Sequence, residues 1–192
     1  DIWNKVSIYI MPMVNPDGVD LAINGIVPGN PYSQRLMKQN NGSWDFSKWR
    51  ANIRGVDLNR NYDADWEMSK KREPMYRVFG PSPTRYSGPQ PESEPETRAV
   101  VNFTRSHDFK LVLTYHSQGR IIFWNYKNMQ PPRAKTIGEM LSKVSGYELS
   151  YPGSVASYAG YKDWFIKEYK RPGYSIEVGS GTNPLPISTF DS

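Results

Sequence analysis

The alternation of apolar and polar positions divides the chain into a few regular stretches and several irregular ones. Val6-Ser7-Ile8-Tyr9-Ile10-Met11 is rich in β-formers and halts at Pro12, which predicts a strand. Asn15-Pro16-Asp17-Gly18 then reads as a tight turn. Residues 20–60 hold Asn, Gly, Ser and Trp in no sustained period and predict a long ordered loop, a kind of segment that often carries function. Residues 80–92 are rich in Pro, Ser and Gly. A helix is predicted next. Ser93 caps it, Glu96 bonds back to the cap, Pro95 falls in the first turn, and Ala99, Val100 and Phe103 form its stripe. The near-continuous apolar run Phe109–Tyr115 predicts a buried strand, and Arg120–Trp124 a second. Ile137, Met140, Leu141 and Val144 mark a helix over 133–145. Residues 159–170 suggest another, with Trp164, Phe165 and Tyr169 inward. Tyr174–Gly179 closes as a short strand. Strands interleaved with helices indicate an α/β sandwich, with helices on both faces of one sheet.

Composition narrows the chemistry. The 192 residues contain no Cys, which removes disulfides, thiolate zinc sites, iron–sulfur clusters and cysteine nucleophiles together. The two His are a small supply for a metal centre. The net charge of +5 is spread out. Its tightest clusters, Lys70-Lys71-Arg72 and Lys167/Lys170/Arg171, fall short of a nucleic-acid-binding block. No run approaches the roughly 18 apolar residues of a membrane span. Asp1-Ile2-Trp3 lacks a Met or a leader pattern, and Phe190-Asp191-Ser192 stops without a closing element, so a piece of a longer chain is expected.

Three places carry candidate chemistry. His116 ends a buried strand and opens into Ser117-Gln118-Gly119, the kind of strand end where α/β sheets place their sites. It reads either as a metal ligand or base, or as a hydrogen-bonded structural histidine. His107, at the end of a helix beside Asp108, reads as a helix-dipole partner. Glu177 lies within Tyr174-Ser175-Ile176-Glu177-Val178. It is either a partly buried general base or, by alternation with Ser175, a solvent-facing residue of an edge strand. Gly55-Val56-Asp57-Leu58-Asn59-Arg60-Asn61-Tyr62 either grips a carboxylate through adjacent Asn and Arg or is a surface loop with ordinary capping residues.

These segments together resemble the zinc carboxypeptidase family. The loop at 55–62 is similar to its substrate-binding segment. Met11-Pro12-Met13-Val14-Asn15-Pro16-Asp17-Gly18, Tyr86-Ser87-Gly88-Pro89 with Ser93-Glu94-Pro95-Glu96-Thr97, Thr114-Tyr115-His116-Ser117 and Tyr174-Ser175-Ile176-Glu177 resemble four further segments, in the family's order. The resemblance implies a three-layer α/β/α sandwich with a mixed central sheet. It also implies zinc held by His116, Glu177 as the base that activates water and protonates the leaving amine, and Asn59 and Arg60 on the substrate carboxylate. Arg54 would stabilise the oxyanion, with Arg50 the alternative because the loop before Gly55 varies in length. Asp57 would orient a zinc-binding histidine.

Two features depart from the family pattern. The His-x-x-Glu that supplies the family's other two zinc ligands is not in this sequence and is expected upstream of Asp1, with a closing helix expected beyond Ser192. The family's mobile tyrosine falls near Ser154 or Val155, with Tyr151 and Tyr158 as nearby substitutes. Residues 1–192 are therefore expected to form one partial catalytic domain that holds zinc weakly by itself and exposes a sheet edge prone to association.

Trp49–Asn59 and Ala159–Phe165 are most similar to the bacterial γ-D-glutamyl–diamino acid endopeptidases, which implies a peptidoglycan stem peptide as substrate. The retained Asn59-Arg60 pair keeps an ordinary metallocarboxypeptidase in contention, and a non-catalytic carboxylate-binding module is the third reading. Cytoplasm and cell envelope both stay open, since a signal peptide would lie upstream.

Overall fold

A computed structural model describes residues 4–153 and 158–189. The first half is mostly irregular chain held by short helices. These are α1 (Pro16–Asn24), α2 (Ser33–Gln39) and α3 (Trp66–Arg72), with 3₁₀ turns at Leu58–Arg60 and Glu73–Tyr76. The second half runs α4 (Pro95–Arg105), β1 (Val112–Ser117), β2 (Ile121–Phe123), α5 (Ala134–Ser145), β3 (Glu148–Ser150), α6 (Tyr161–Tyr169) and β4 (Gly173–Val178).

The sheet is mixed, in the order β1-β4-β2-β3. β1 pairs with β4 in parallel, β2 with β4 antiparallel, and β2 with β3 in parallel. Side chains alternate across a strand, so odd positions of β4 (Gly173, Ser175, Glu177) share one face and Tyr174 and Ile176 the other. The second face packs on α5, joining Ile122, Trp124, Ala134, Tyr174 and Ile176 in one core. The first face packs on α6 and α4, where Val112 meets Val100, Val101, Trp164, Phe165 and Ile166. Gly173 eases the approach, because a Cβ would stand 3.3 Å from side-chain atoms of both Ile166 and Val112. Helices thus cover both faces, and the α/β class expected from the sequence is the class observed. A third core, around Leu21, Leu36, Phe46, Trp49 and Ala51, anchors α1 and α2.

Several local expectations change. Residues 6–11 form no strand; Val6, Ile8, Tyr9, Ile10 and Met11 are exposed, with the Tyr9 ring edge-to-face against Phe103, His107 and Phe109. Asn15–Gly18 is the start of α1 rather than a free turn: the Asn15 side chain accepts from the Gly18 N–H and Pro16 takes the first helical position. Residues 20–60 include most of α1 and all of α2. In α4 the inward stripe is Thr97, Val100, Val101 and Thr104, and Ala99 is exposed. Ser93 Oγ donates to Glu94 Oε1, while Glu96 takes a hydrogen bond from Asn52 instead of closing a capping box. In α5 the buried line is Ala134 and Gly138 with Ile137 and Leu141, so Met140 and Val144 lie outside. His107 closes the end of α4 through Nδ1, 2.8 Å from the Phe103 carbonyl.

Candidate active site

The two best-marked residues come together through strand register. In the parallel β1–β4 ladder Val112 faces Gly173, Thr114 faces Ser175, and His116 faces Glu177. The five side chains among these six positions point to the α6 side of the sheet, and adjacent strands lie about 4.8 Å apart. α6 covers only the start of this face, so the face opens at the C-terminal ends of β1 and β4. A cleft of about 60 Å³ lies there, lined by Asn59, Phe123, Pro152, Gly160, Lys162, Asp163, Ser175 and Glu177.

The electrostatics of the pair suit acid–base chemistry. Burial pushes the Glu177 carboxyl above the usual carboxylate range, against the opposing pull of the Arg50 guanidinium. Burial also pushes His116 below its ordinary value; Arg50 and Lys162 act the same way and Asp57 opposes them. At neutral pH the imidazole is therefore neutral, the form that binds metal.

The two candidate arginines separate. Asn52 folds 52–56 into a tight loop: its Oδ1 accepts from the Arg54 and Val56 N–H groups, and Gly55 takes a φ of 78°. Arg54 thereby sits on an exposed tip, 3.9 Å from Glu94, with 58% of its side chain accessible. Arg50, the alternative, is the guanidinium whose charge acts on both His116 and Glu177.

Asn59 and Arg60 also part. Asn59 lines the cleft with Glu177. Arg60 lines a separate, smaller cavity of about 10 Å³ with Ser69, Arg72, Glu73, Tyr76 and Arg85. Burial lowers its pKa, Asp57 opposes that shift, and Arg85 and Arg50 add to it. Asp57 is buried and accepts from the Arg85 N–H at 2.9 Å and from Thr84 Oγ1 at 3.4 Å, with its charge within reach of His116. The segment is fixed by Asn61, fully buried, which donates to the Ser87 and Gln90 carbonyls and accepts from the Glu94 N–H.

Sequence reasoning passed over Lys162 and Ser175 as lining residues. Their signal was present: a Lys beside an Asp-Trp pair at the start of an apolar helix, and a Ser two positions before Glu177 on the same face. Of the tyrosine candidates, Tyr151 packs at a tilt against Trp124 and Tyr158 lies beneath the Arg72 guanidinium. Ser154 and Val155 lie outside the described residues.

Among the described residues no three His, Cys, Asp or Glu side chains gather as a metal cage. His116 fits as one ligand of a four-coordinate zinc, and the described residues do not complete the set.

A mixed sheet with helices on both faces and a His–Glu pair at a parallel strand end agrees with what the whole chain matches. Residues 1–190 match the family described as zinc carboxypeptidase, and the chain belongs to that family, whose cofactor is zinc. It is 47% identical over 191 residues to gamma-D-glutamyl-L-diamino acid endopeptidase 1 of Lysinibacillus sphaericus, covering 100% of this chain and 47% of that protein. The chain spans about half the length of the curated relatives it matches first. Among solved structures, carboxypeptidase A from Helicoverpa armigera shares the fold with a TM-score of 0.60 at 19% identity, over 92% of this chain and 43% of that one. The murein-tripeptide amidase MpaA from Escherichia coli O157 does so at 0.55 and 21%, over 88% and 58%. No helix among the described residues is long and apolar enough to cross a membrane.

Proposed function

We propose that the protein containing this chain is a zinc-dependent peptidase that hydrolyses γ-D-glutamyl–diamino acid bonds in peptidoglycan stem peptides. The observation that carries the reading is the register that sets His116 beside Glu177 at the mouth of a polar cleft. The 47% identity to an endopeptidase of that name supports the choice of bond.

His116 supplies one neutral imidazole to the metal, and the remaining ligands come from outside residues 1–192. When bound, zinc supplies the Lewis acid that makes water a nucleophile near neutral pH. Glu177, with its raised pKa, takes the proton from the attacking water and returns it to the nitrogen of the leaving amine. Arg50 stabilises the charge that develops on the scissile carbonyl oxygen, the role that the sequence alone gave first to Arg54. Asn59, which lines the cleft with Glu177, binds the substrate carboxylate, Arg60 is the second residue that the resemblance implies for it, and Asp57 orients a zinc-binding histidine.

The test is zinc content together with cleavage of L-Ala-γ-D-Glu-diaminopimelate by the complete natural polypeptide. One zinc per chain and cleavage at the γ-glutamyl bond are expected. Release of C-terminal residues only would move the protein to the carboxypeptidase reading, which the retained Asn59-Arg60 pair favours. Neither zinc nor cleavage would leave a carboxylate-binding module and return His116 to a structural role.

A further inference from the structure

Arg60 stands between two hollows. It follows Asn59, which lines the cleft with Glu177, and its charge acts on Asp163 in the cleft wall. It also lines the smaller cavity, where Arg85 joins it. Both arginines are half-buried. The Arg85 guanidinium lies 3.9 Å over the ring of Tyr76, which is itself exposed. Arg85 is fixed through its backbone: Asp57 accepts its N–H, and its φ is 68°. The carboxylates nearby are already engaged. Glu73 takes Lys70 Nζ at 3.0 Å and the Ser87 N–H at 2.7 Å, and Asp57 takes the Arg85 N–H and Thr84 Oγ1. Among the described residues neither Arg60 nor Arg85 has an ion-paired carboxylate. Two like charges therefore share one cavity without a counter-ion. Stacking on Tyr76 uses the face of the Arg85 guanidinium and leaves its N–H edge for an anion, the edge that matches a carboxylate bidentately.

We propose that Arg85, stacked on Tyr76, binds the terminal carboxylate of a peptide that continues one residue beyond the diamino acid. The proposal rests on the peptidase reading above. When the peptide ends at the diamino acid, its carboxylate belongs to Asn59 and Arg60. One further residue turns that carboxylate into an amide and carries the new terminus outward by about 3.3–3.6 Å. The amide carbonyl still accepts a hydrogen bond from Arg60. The displaced negative charge finds its partner in Arg85, across the cavity that the two arginines share. Two guanidiniums in succession thus let one site accept two peptide lengths. A longer peptide whose terminus is amidated leaves Arg85 without a counter-charge, and discrimination against it comes from that unpaired group. The rival role for Arg85 is structural, as a cover for the Tyr76 ring.

The test uses the complete zinc-loaded polypeptide and three peptides: L-Ala-γ-D-Glu-meso-diaminopimelate, the same peptide extended by D-alanine, and the extended peptide with its terminus amidated. Cleavage is read at the γ-glutamyl bond. The wild-type protein is expected to cleave the first two, and to favour the extended acid over its amide by at least about tenfold in kcat/KM, the low end for a charge-assisted bond. The difference should lie in KM, because the contact is remote from the reacting atoms. Arg85→Met should bring the extended acid and its amide together and leave the shorter peptide at its wild-type rate; Arg85→Lys, which keeps the charge and loses the fork, should fall between. Equal cleavage of the extended acid and its amide by the wild type, or cleavage of the shorter peptide alone, would overturn the proposal and leave the peptidase reading standing. Cleavage of none would remove both. A preference for the acid that persists in Arg85→Met would also overturn the proposal, as would a uniform loss across the three peptides in both variants, which would assign Arg85 to the structure around Tyr76. The wild-type comparison stands independently of how any variant folds.

Discussion

The arginine that serves the reaction can be identified by exchanging Arg50 and Arg54 separately for Met in the complete polypeptide. Arg54 makes one contact of 3.9 Å with Glu94 from a largely exposed position. The arginine end of this pair is solvated, and the buried Glu94 keeps hydrogen bonds from Asn52 and Ser93 without it, so the long contact contributes about 0–1 kcal/mol. Arg54→Met should therefore cost at most that much stability and leave kcat at its wild-type value. Arg50 acts on both Glu177 and His116. If it faces the developing oxyanion, its removal costs about 100- to 1000-fold in kcat, the usual consequence of losing one such donor. A second effect follows from the sign of its influence. Arg50 holds the Glu177 pKa down against burial, so Arg50→Met lets that pKa rise, and the acid limb of the kcat/KM profile shifts to higher pH. Steady-state kinetics on a γ-glutamyl–diaminopimelate peptide from pH 4 to 9, roughly the span over which carboxylate and imidazole titrate, reads both. A large loss in Arg54→Met with none in Arg50→Met would refute the reasoning. So would a loss in Arg50→Met with an unmoved acid limb, because the guanidinium would then act away from Glu177.

Glu177→Gln should abolish cleavage and raise the melting temperature of metal-free protein at neutral pH. Burial raises the native pKa of Glu177, so the native state binds more protons than the unfolded state between the ordinary value of 4.5 and that raised value. Wild-type stability therefore falls as pH rises through this window. The advantage of the variant should vanish below the ordinary value, and a gain that grows towards acid pH would contradict the account. His116→Ala should lower bound zinc below one per chain after dialysis, measured by elemental analysis; full retention would remove His116 from the ligand set. Asn61→Ala strips the partner from the buried Glu94 N–H, at about 1–3 kcal/mol for a group left unpaired, while the Ser87 carbonyl keeps the Trp66 Nε1–H. Urea unfolding should show a loss of that order, and a loss below about 1 kcal/mol would mean that the loop rearranges around the gap.

Much of the second half could be read from the sequence because its elements bury a face. The strand runs ending near His116 and Glu177 are apolar enough to mark β1 and β4, and the period of α5 is right even though only Ile137 and Leu141 of its expected stripe face inward. The first half is harder. Val6–Met11 has strand composition, yet among the described residues it pairs with no strand, and composition carries no information about a partner. α2 has one buried residue, Leu36, in seven, so no stripe shows. α3 begins from Asp65 at a φ of 52° with no side-chain cap, which removes the usual start signal. At the site, the His116–Glu177 partnership is a long-range pairing that no local pattern states; only the family resemblance joined them. Arg50 and Arg54 look equivalent along the chain, and the Asn52 hydrogen bonds that turn Arg54 outward appear only in three dimensions. Lys162 was hidden for the opposite reason: a lysine on a helix is ordinarily solvated, and this one is buried.

The parallel pairing of β1 with β4 also limits how genes for such a chain can drift. Between the two strands lie connections that tolerate added or deleted codons, because loop closure costs grow slowly with length. Within Val112–Ser117 and Gly173–Val178 a single inserted codon would turn either His116 or Glu177 to the α5 side of the sheet. Natural length variation should therefore fall in the joints and spare these two short blocks, and a screen of random one-codon insertions would trace the ladder as two silent gaps in its map of surviving clones.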